Sequence, residues 1–361
     1  DPTTGQSLGL LIEEARTNLI TASTDFSTGW SFSSNVTVAS GQTSPTGDTS
    51  ASLITLNAGT FAAKLAEKFV SDISIVYTRS WFVKKTNQRY IWCGDQNNGV
   101  YAPNYRFDLD LSTGNVVSGS SFNSGFSITA YANGYYRISV TCVSQDTFNI
   151  SANNTTSINP LTTSTTHDGT ETFIIWGYQV EQGAFPTSYI PTSGSTVTRA
   201  ADVASITGSN FSSWYNSTEG TLFQNCISRT PTGGTTGGTG IGAYLTSSST
   251  DAQIGFARWT TEVTIYVYGS STYYAQFVFA SQWAQNTTSK AIVAYKLNDF
   301  AASANGLTLQ TDTSGVVPIA TELGIGQMTT AAYNRIGAGT FSRIAYYPTR
   351  LPDATLQALT Q

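Results

Sequence analysis

Charge is what this sequence has least of. Asp, Glu, Lys and Arg make up 11% of its 361 residues, against roughly 25% in a typical soluble domain. The net charge is −5 and no Lys/Arg cluster occurs, so nucleic acid and anionic membrane are excluded as partners, since both need grouped cations. The longest apolar runs, such as Phe173–Trp176, are far too short to cross a bilayer as a helix. No secretory signal opens the chain. It starts at Asp1 without Met, which implies a processed polypeptide or a fragment with more chain upstream. Cysteine is scarce too. Cys93, Cys142 and Cys226 are odd in number and widely spaced, giving neither a disulfide framework nor a metal knuckle. Cys142 shares a face with Ile138 and Val140 and reads as a small buried hydrophobe. Folding in a reducing cytoplasm follows.

Histidine is nearly absent. His167, in STTHDGTET, is the single one. A triad needs a nucleophile and a carboxylate beside it, and no GxSxG elbow is present. Zinc needs a closed set of ligands. His167 therefore reads as a loop residue, with no cofactor and no catalytic role expected.

What is present is strand material. Hydrophobic residues make up 40%, including 19 Tyr, 18 Phe and 7 Trp, amid Ser, Thr, Asn and Gly. Thr and aromatics suit strand surfaces, so the chain reads as all-β. It is organised around Phe173–Val203. Ile174, Trp176, Tyr178 and Val180 share one face at the two-residue period of an extended chain. Gly183 then interrupts, and Pro186 and Pro191 each forbid a ladder hydrogen bond. The polar TSGST that follows reads as a linker, giving domains over 1–198 and 203–361.

In chain order, GLLIEEARTNLI (9–20) opens as a strand, and Glu13, Glu14 and Arg16 offer either an ion pair or a solvated edge. Residues 71–85 form a long strand whose expected partner is 89–93. Residues 104–117 form a hairpin with Leu109 and Leu111 inward and Arg106, Asp108 and Asp110 outward. Asn133-Gly134 makes a second turn, and 149–170 reads as loop. In the second half, the glycines of 232–242 are not a phosphate loop, because no Lys follows. Val263, Ile265 and Val267 alternate with Thr264, Tyr266 and Tyr268, and Asn305-Gly306 marks another hairpin. Pro352 and Asp353 start a short C-terminal helix docked by Leu356 and Leu359.

Four blocks, GLLIEEARTNLI, FDLDLSTGNVV, NGYYRISVTC and QVEQGAFPTSYIPT…TRAAD, together resemble a module of tailed-phage fibre, head-fibre and other virion surface proteins. That module is similar to carbohydrate-binding β-sandwiches. AYKLNDFAASANG, PIATELGIGQM and GTFSRIAYYPTRLPDATLQALT resemble a laminin-G-like or concanavalin A-like jelly roll. The resemblance implies two tandem β-sandwich (jelly-roll) domains on a virion surface, made in the host cytoplasm. It also implies other virion proteins as partners, a homo-oligomer (a trimer by likeness to fibres), and contact with a host-surface glycan.

Glycoside hydrolysis needs two carboxylates across a cleft, yet Glu219, Glu262 and Glu322 stand far apart, and Asp108 and Asp110 read as solvated hairpin charges. Calcium needs only oxygen ligands, and Gly94–Asn98 and Leu297–Asp299 are candidate loops, although turns use the same residues. Sugar rings stack on open aromatic faces, which singles out Trp259, Tyr266 and Tyr268 as candidate ligand contacts. Cross-strand aromatic pairing is the competing reading of the same residues. The expected function is a non-enzymatic virion surface protein. The alternatives are a polysaccharide-degrading enzyme and a free-standing carbohydrate-binding module.

Overall fold

The computed structural model of the chain describes residues 3–27, 30–32, 35–61, 65–67, 75–96, 106–117, 125–143, 147–153, 165–229, 242–247, 251–259, 262–280, 284–329 and 334–361. Strands pair antiparallel throughout these residues, and the two α-helices among them, Gly208–Ser212 and Asp353–Thr360, are short. The chain is an all-β protein ending in a short helix.

Two compact units form. One comprises Asp1–Gln6 and Arg16–Arg199, the other Ser7–Ala15 and Ala200–Gln361. The first strand therefore lies in the second unit, although a boundary at 198 assigns it to the first domain. Leu10–Ile12 pairs with Gly339–Tyr347, Leu10 standing opposite Phe341. The adjoining Arg16–Asn18 stays in the first unit, paired with Val197–Arg199.

The first unit stacks two six-stranded sheets. One runs Phe126–Tyr131, Tyr135–Val143, Val76–Lys85, Thr172–Gln182, Ala51–Leu56, Val36–Gln42. The other runs Asn115–Val116, Arg106–Asp110, Tyr90–Gln96, Thr147–Asn153, Leu65–Glu67, Trp30–Phe32. Trp81, Val83, Ile91, Leu109, Ile138 and Ile175 fill the space between them. Three expectations are corrected here. Tyr90–Gln96 does not pair with Val76–Lys85, because the chain crosses to the other sheet between them. The polar stretch 149–170 contains strand, at Thr147–Asn153 and Thr165–His167. The face expected of Ile174, Trp176, Tyr178 and Val180 splits in two. Ile174 and Trp176 pack outside with Phe82, while Tyr178 and Val180 join the core. The cause is a register shift between Trp176 and Gln179, and one extra residue exchanges the two faces of a strand. Gly177 sits there at φ +64° with the Phe82 and Tyr189 rings within 3.4 Å of any Cβ it might carry, so glycine is required.

The second unit also has two six-stranded sheets. One runs Leu10–Ile12, Gly339–Tyr347, Glu219–Ser228, Thr288–Lys296, Asp299–Ala304, Gln310–Asp312. The other runs Ala204–Thr207, Glu322–Ile325, Ala243–Thr246, Gln253–Trp259, Glu262–Gly269, Thr272–Phe279. Val263, Ile265 and Val267 point into the core, as their alternation requires. The terminal helix covers the outer face of the first of these sheets, Leu356 packing with Phe223, Ile292, Ala294 and Ala301. Arg350 ties its start, 2.9 Å from Asp299 and ion-paired to Asp353. The Asn-Gly pairs at 133–134 and 305–306 turn with positive φ, Asn133 at 57° and Asn305 at 47°, the geometry that makes this dipeptide a hairpin signal.

Candidate functional site

The stretch after Gly183 builds a latch over the first unit. Phe185–Ile190 runs back along the outer face of the sheet that carries Trp176, and each exposed backbone group along it needs a partner. Glu181 accepts the Thr187 N–H at 3.0 Å and its hydroxyl. The Gln179 side-chain amide oxygen accepts the Ile190 N–H at 2.6 Å. Asn18 donates to the Ile190 carbonyl at 2.9 Å and accepts the Ile20 and Val180 amides at 3.1 and 3.2 Å. Arg137 donates to the Thr187 carbonyl at 2.6 Å and lies over the Phe82 ring. Arg16 rests on the Phe185 ring, 4.9 Å from its centroid. Burial pushes the Tyr189 phenol up to about 12 despite its bond with Ser23. Polar residues that look chemical in the sequence are thus spent on holding backbone.

The carboxylates expected to be solvated are not. Asp108 and Asp110 are both buried, at 3% and 7% exposure. Asp110 receives the Arg89 guanidinium at 3.0 Å and the Ser112 N–H at 2.8 Å. Burial raises its pKa, but the Arg89 and Ser112 hydrogen bonds outweigh that and leave it below the usual range. It organises the turn of the hairpin. His167 is no loop residue either. It ends a strand, is buried, and has Nδ1 3.5 Å from Glu171, which also accepts the Asp168 and Gly169 amides. That is the geometry of a braced turn. Of the two candidate calcium loops, the side chains of 94–96 and all of residues 97–98 lie outside the described residues. In the other, the Asn298 carbonyl accepts the Gly315 N–H at 3.0 Å and Asp299 faces Arg350. Among the described residues, no three His, Cys, Asp or Glu side chains gather as metal ligands.

Two of the aromatic candidates, Tyr266 and Tyr268, lie on the outer face of the second unit's second sheet. Tyr266 is buried, clustered with Tyr244, Ala257 and the half-buried Tyr268. The Tyr244 ring reaches across Gly255, where a Cβ would stand 2.5 Å from it. Trp259 ends its strand on the same sheet, and its side chain lies outside the described residues. Among the described residues the aromatic ring most open to solvent is Tyr273, 50% exposed, edge-on to Tyr266 at 6.1 Å and to Tyr268 at 5.0 Å. Sequence reasoning passed over Tyr273. A register shift between Val267 and Tyr268 brings it opposite Tyr268. The signal for that is the Ser270-Ser271 turn, where both residues adopt positive φ, 50° and 61°.

The second unit also holds an apolar cavity of about 600 Å³, well within the size range of ligand pockets. Ile206, Leu323 and Ile325 line it from one sheet, Ile344 and Tyr346 from the other, with Ser213, Trp214 and Pro348 at its rim. Trp214 packs on Tyr346 with centroids 4.8 Å apart. The Tyr346 hydroxyl is engaged by the Asn216 N–H at 2.9 Å and by Tyr295 at 3.1 Å. No residue in the lining carries a charge.

No family profile and no curated protein matches this chain. Among solved structures it is similar to the CBM40 module of the Ruminococcus gnavus IT-sialidase, bound to α2,3-sialyllactose. The identity is 12%, over 40% of this chain and 84% of that one, with a TM-score of 0.33. It is also similar to domains LG4-5 of the mouse laminin α1 chain, at 10% identity over 98% of this chain and 99% of that one, TM-score 0.27. A third likeness is to the LG1-3 region of the laminin α2 chain, at 8% identity over 82% and 67%, TM-score 0.29. Scores this low decide neither mechanism nor ligand.

Proposed function

We propose that this chain is a non-enzymatic surface component of a tailed-phage virion that contacts host glycans. The observation that carries the reading is the interlock between two of its resemblance blocks, GLLIEEARTNLI and QVEQGAFPTSYIPT…TRAAD. Asn18 reaches the Tyr178 carbonyl across 160 residues and Thr17 bonds Thr198 at 2.8 Å. Glu13 and Asp202 exchange hydrogen bonds, both at 2.9 Å. What the resemblance shares is therefore a frame. The polar groups in it do structural work, and Asp108 and Asp110 are enclosed rather than set across a cleft. The glycan contact is assigned to the tyrosine face, where Tyr273 and Tyr268 supply aromatic rings with hydroxyl ends.

A glycan array probed with the full chain and with Tyr273→Ala tests the contact. Binding that Tyr273→Ala abolishes is expected, and binding indifferent to that change removes the tyrosine face. Release of reducing ends from host capsule reverses the non-enzymatic reading in favour of a depolymerase. Labelled antibody on intact particles tests the location, with decorated virions expected.

A further inference from the structure

The second unit leaves one strand half-covered. Gly339–Tyr347 is paired on one side from end to end, Ser228 opposite Gly339 and Thr221 opposite Tyr347, interrupted by a bulge at Ser342. On its other side Leu10–Ile12 reaches only Gly339 to Phe341. The added strand stops at Gly9, which adopts φ +116° with the Phe341 carbonyl and the Ser342 Cα closer than any Cβ tolerates. Beyond that point, among the described residues, no strand pairs with the outer edge of Arg343–Tyr347. An unpaired row of N–H and C=O groups is a template for another strand. Ile344 and Tyr346, two apart on this stretch, turn their side chains into the 600 Å³ apolar cavity. A strand laid on this edge would send every second side chain between the sheets and into it.

We propose that this edge and cavity form a strand-addition site for an extended segment of a partner protein. The segment carries apolar residues at alternate positions and a carboxylate on the opposite face. Three observations select this occupant. Leu10–Ile12 already occupies the same edge as a strand brought from the far end of the chain, so the new segment continues an existing pairing. Among the described residues, the Arg343 guanidinium meets the Tyr347 hydroxyl at 3.5 Å and the Phe223 ring at 5.5 Å, and no carboxylate. Among the described lining residues the one unengaged hydroxyl is that of Ser213, so a sugar would enter with most of its hydroxyls unsatisfied, which opposes its burial. An acyl chain fills the cavity but leaves the backbone edge bare. A peptide strand satisfies both, which is the physics of β-strand addition.

The test uses the full chain and an acetylated nonapeptide that alternates valine with threonine and carries one central aspartate. Expected results are saturable binding and protection from hydrogen exchange at the amides of Arg343–Tyr347. Affinity should fall roughly tenfold when alternate peptide amides are N-methylated. Arg343→Glu, an exposed change that leaves the core untouched, should weaken the aspartate peptide and favour its lysine counterpart. Four results overturn the proposal. One is no binding up to about 1 mM, and another is equal binding of a scrambled or N-methylated peptide. A third is displacement of the peptide by dodecanoate at lower concentration, which marks an acyl site. The last is concentration-dependent self-association that protects the same amides without peptide, which makes a second copy the occupant.

Discussion

Each unit has one sheet whose outer face is covered by its own chain, and the covers differ in kind. Over the first unit the cover is irregular backbone, Phe185–Ile190. Over the second it is the helix Asp353–Thr360. A helix satisfies its own amides and carbonyls except at its ends, so it brings Leu356 and Leu359 to the sheet and needs only Arg350 at its start and Thr360, bonded to Ser303 at 3.0 Å, at its finish. Irregular backbone satisfies nothing internally. The first unit therefore supplies Asn18, Gln179, Glu181 and Arg137 from three different strands to do the same task. A polar latch concentrates stability in a few hydrogen-bonding side chains. An apolar helix spreads it over area.

That contrast orders the expected effects of mutation. The largest loss is expected at Asn18. Asn18→Ala leaves several buried backbone groups without a partner at about 1 kcal/mol or more each, about 4 kcal/mol in all. In scanning calorimetry it should lower the transition of the first unit alone, and an equal fall in both transitions would show that the units do not melt separately. Next comes Leu356→Ala, a cavity mutation worth about 3 kcal/mol. It should lower the other transition, and an effect under about 1 kcal/mol would mean that the helix is a dispensable cover.

Thiol labelling sharpens the same comparison, because each unit encloses a cysteine. Cys93 belongs to the first unit, where burial and then the nearby Asp108 charge hold its thiol well above the ordinary range. Cys226 belongs to the second, raised by burial alone. Neither should react with iodoacetamide at about pH 8 in the folded chain, since the thiolate is the reactive form. Asn18→Ala should speed labelling of Cys93 and Leu356→Ala that of Cys226, read by peptide mass. The reverse pattern would break the assignment of covers to units.

The smallest effect is expected at the Asp110 turn, where Arg89 is more than half exposed and its ion pair is screened. The folded pKa of Asp110 is depressed, so its contribution is complete above the unfolded carboxyl value of about 4 and is lost as pH falls through the folded one. The stability gap between the native chain and Asp110→Asn should be level from neutral pH down to about 5 and close in more acid solution. A gap that widens with acid would contradict the depressed pKa.

Much of this was legible locally. Alternation in Val263–Tyr268, the Asn133-Gly134 and Asn305-Gly306 turns and the Pro352-Asp353 helix start are properties of a few consecutive residues, and backbone sterics read them the same way in any context. The all-β class and the terminal helix followed from those. Tertiary pairing decided the rest. Whether Asp108 and Asp110 meet water depends on what packs above their sheet, and the hairpin alternation that put Leu109 inward could not say. The ligand candidates shifted for the same reason. Tyr266 was visible as an outward residue, but its burial comes from Tyr244 and Ala257 on neighbouring strands, and the place of Tyr273 opposite Tyr268 comes from a register shift after Val267.

The sequence by itself determined where strands, turns and the last helix lie, because those rest on steric preferences and on hydrophobic period. Only the tertiary structure decided which strand each one meets. Leu10–Ile12 finds its partner at Gly339–Phe341, at the other end of the chain, and no local rule spans that distance. Pairing at such range is chosen by which free edge remains when the cores have closed. Among the described residues, the same closure left the edge of Arg343–Tyr347 without a strand.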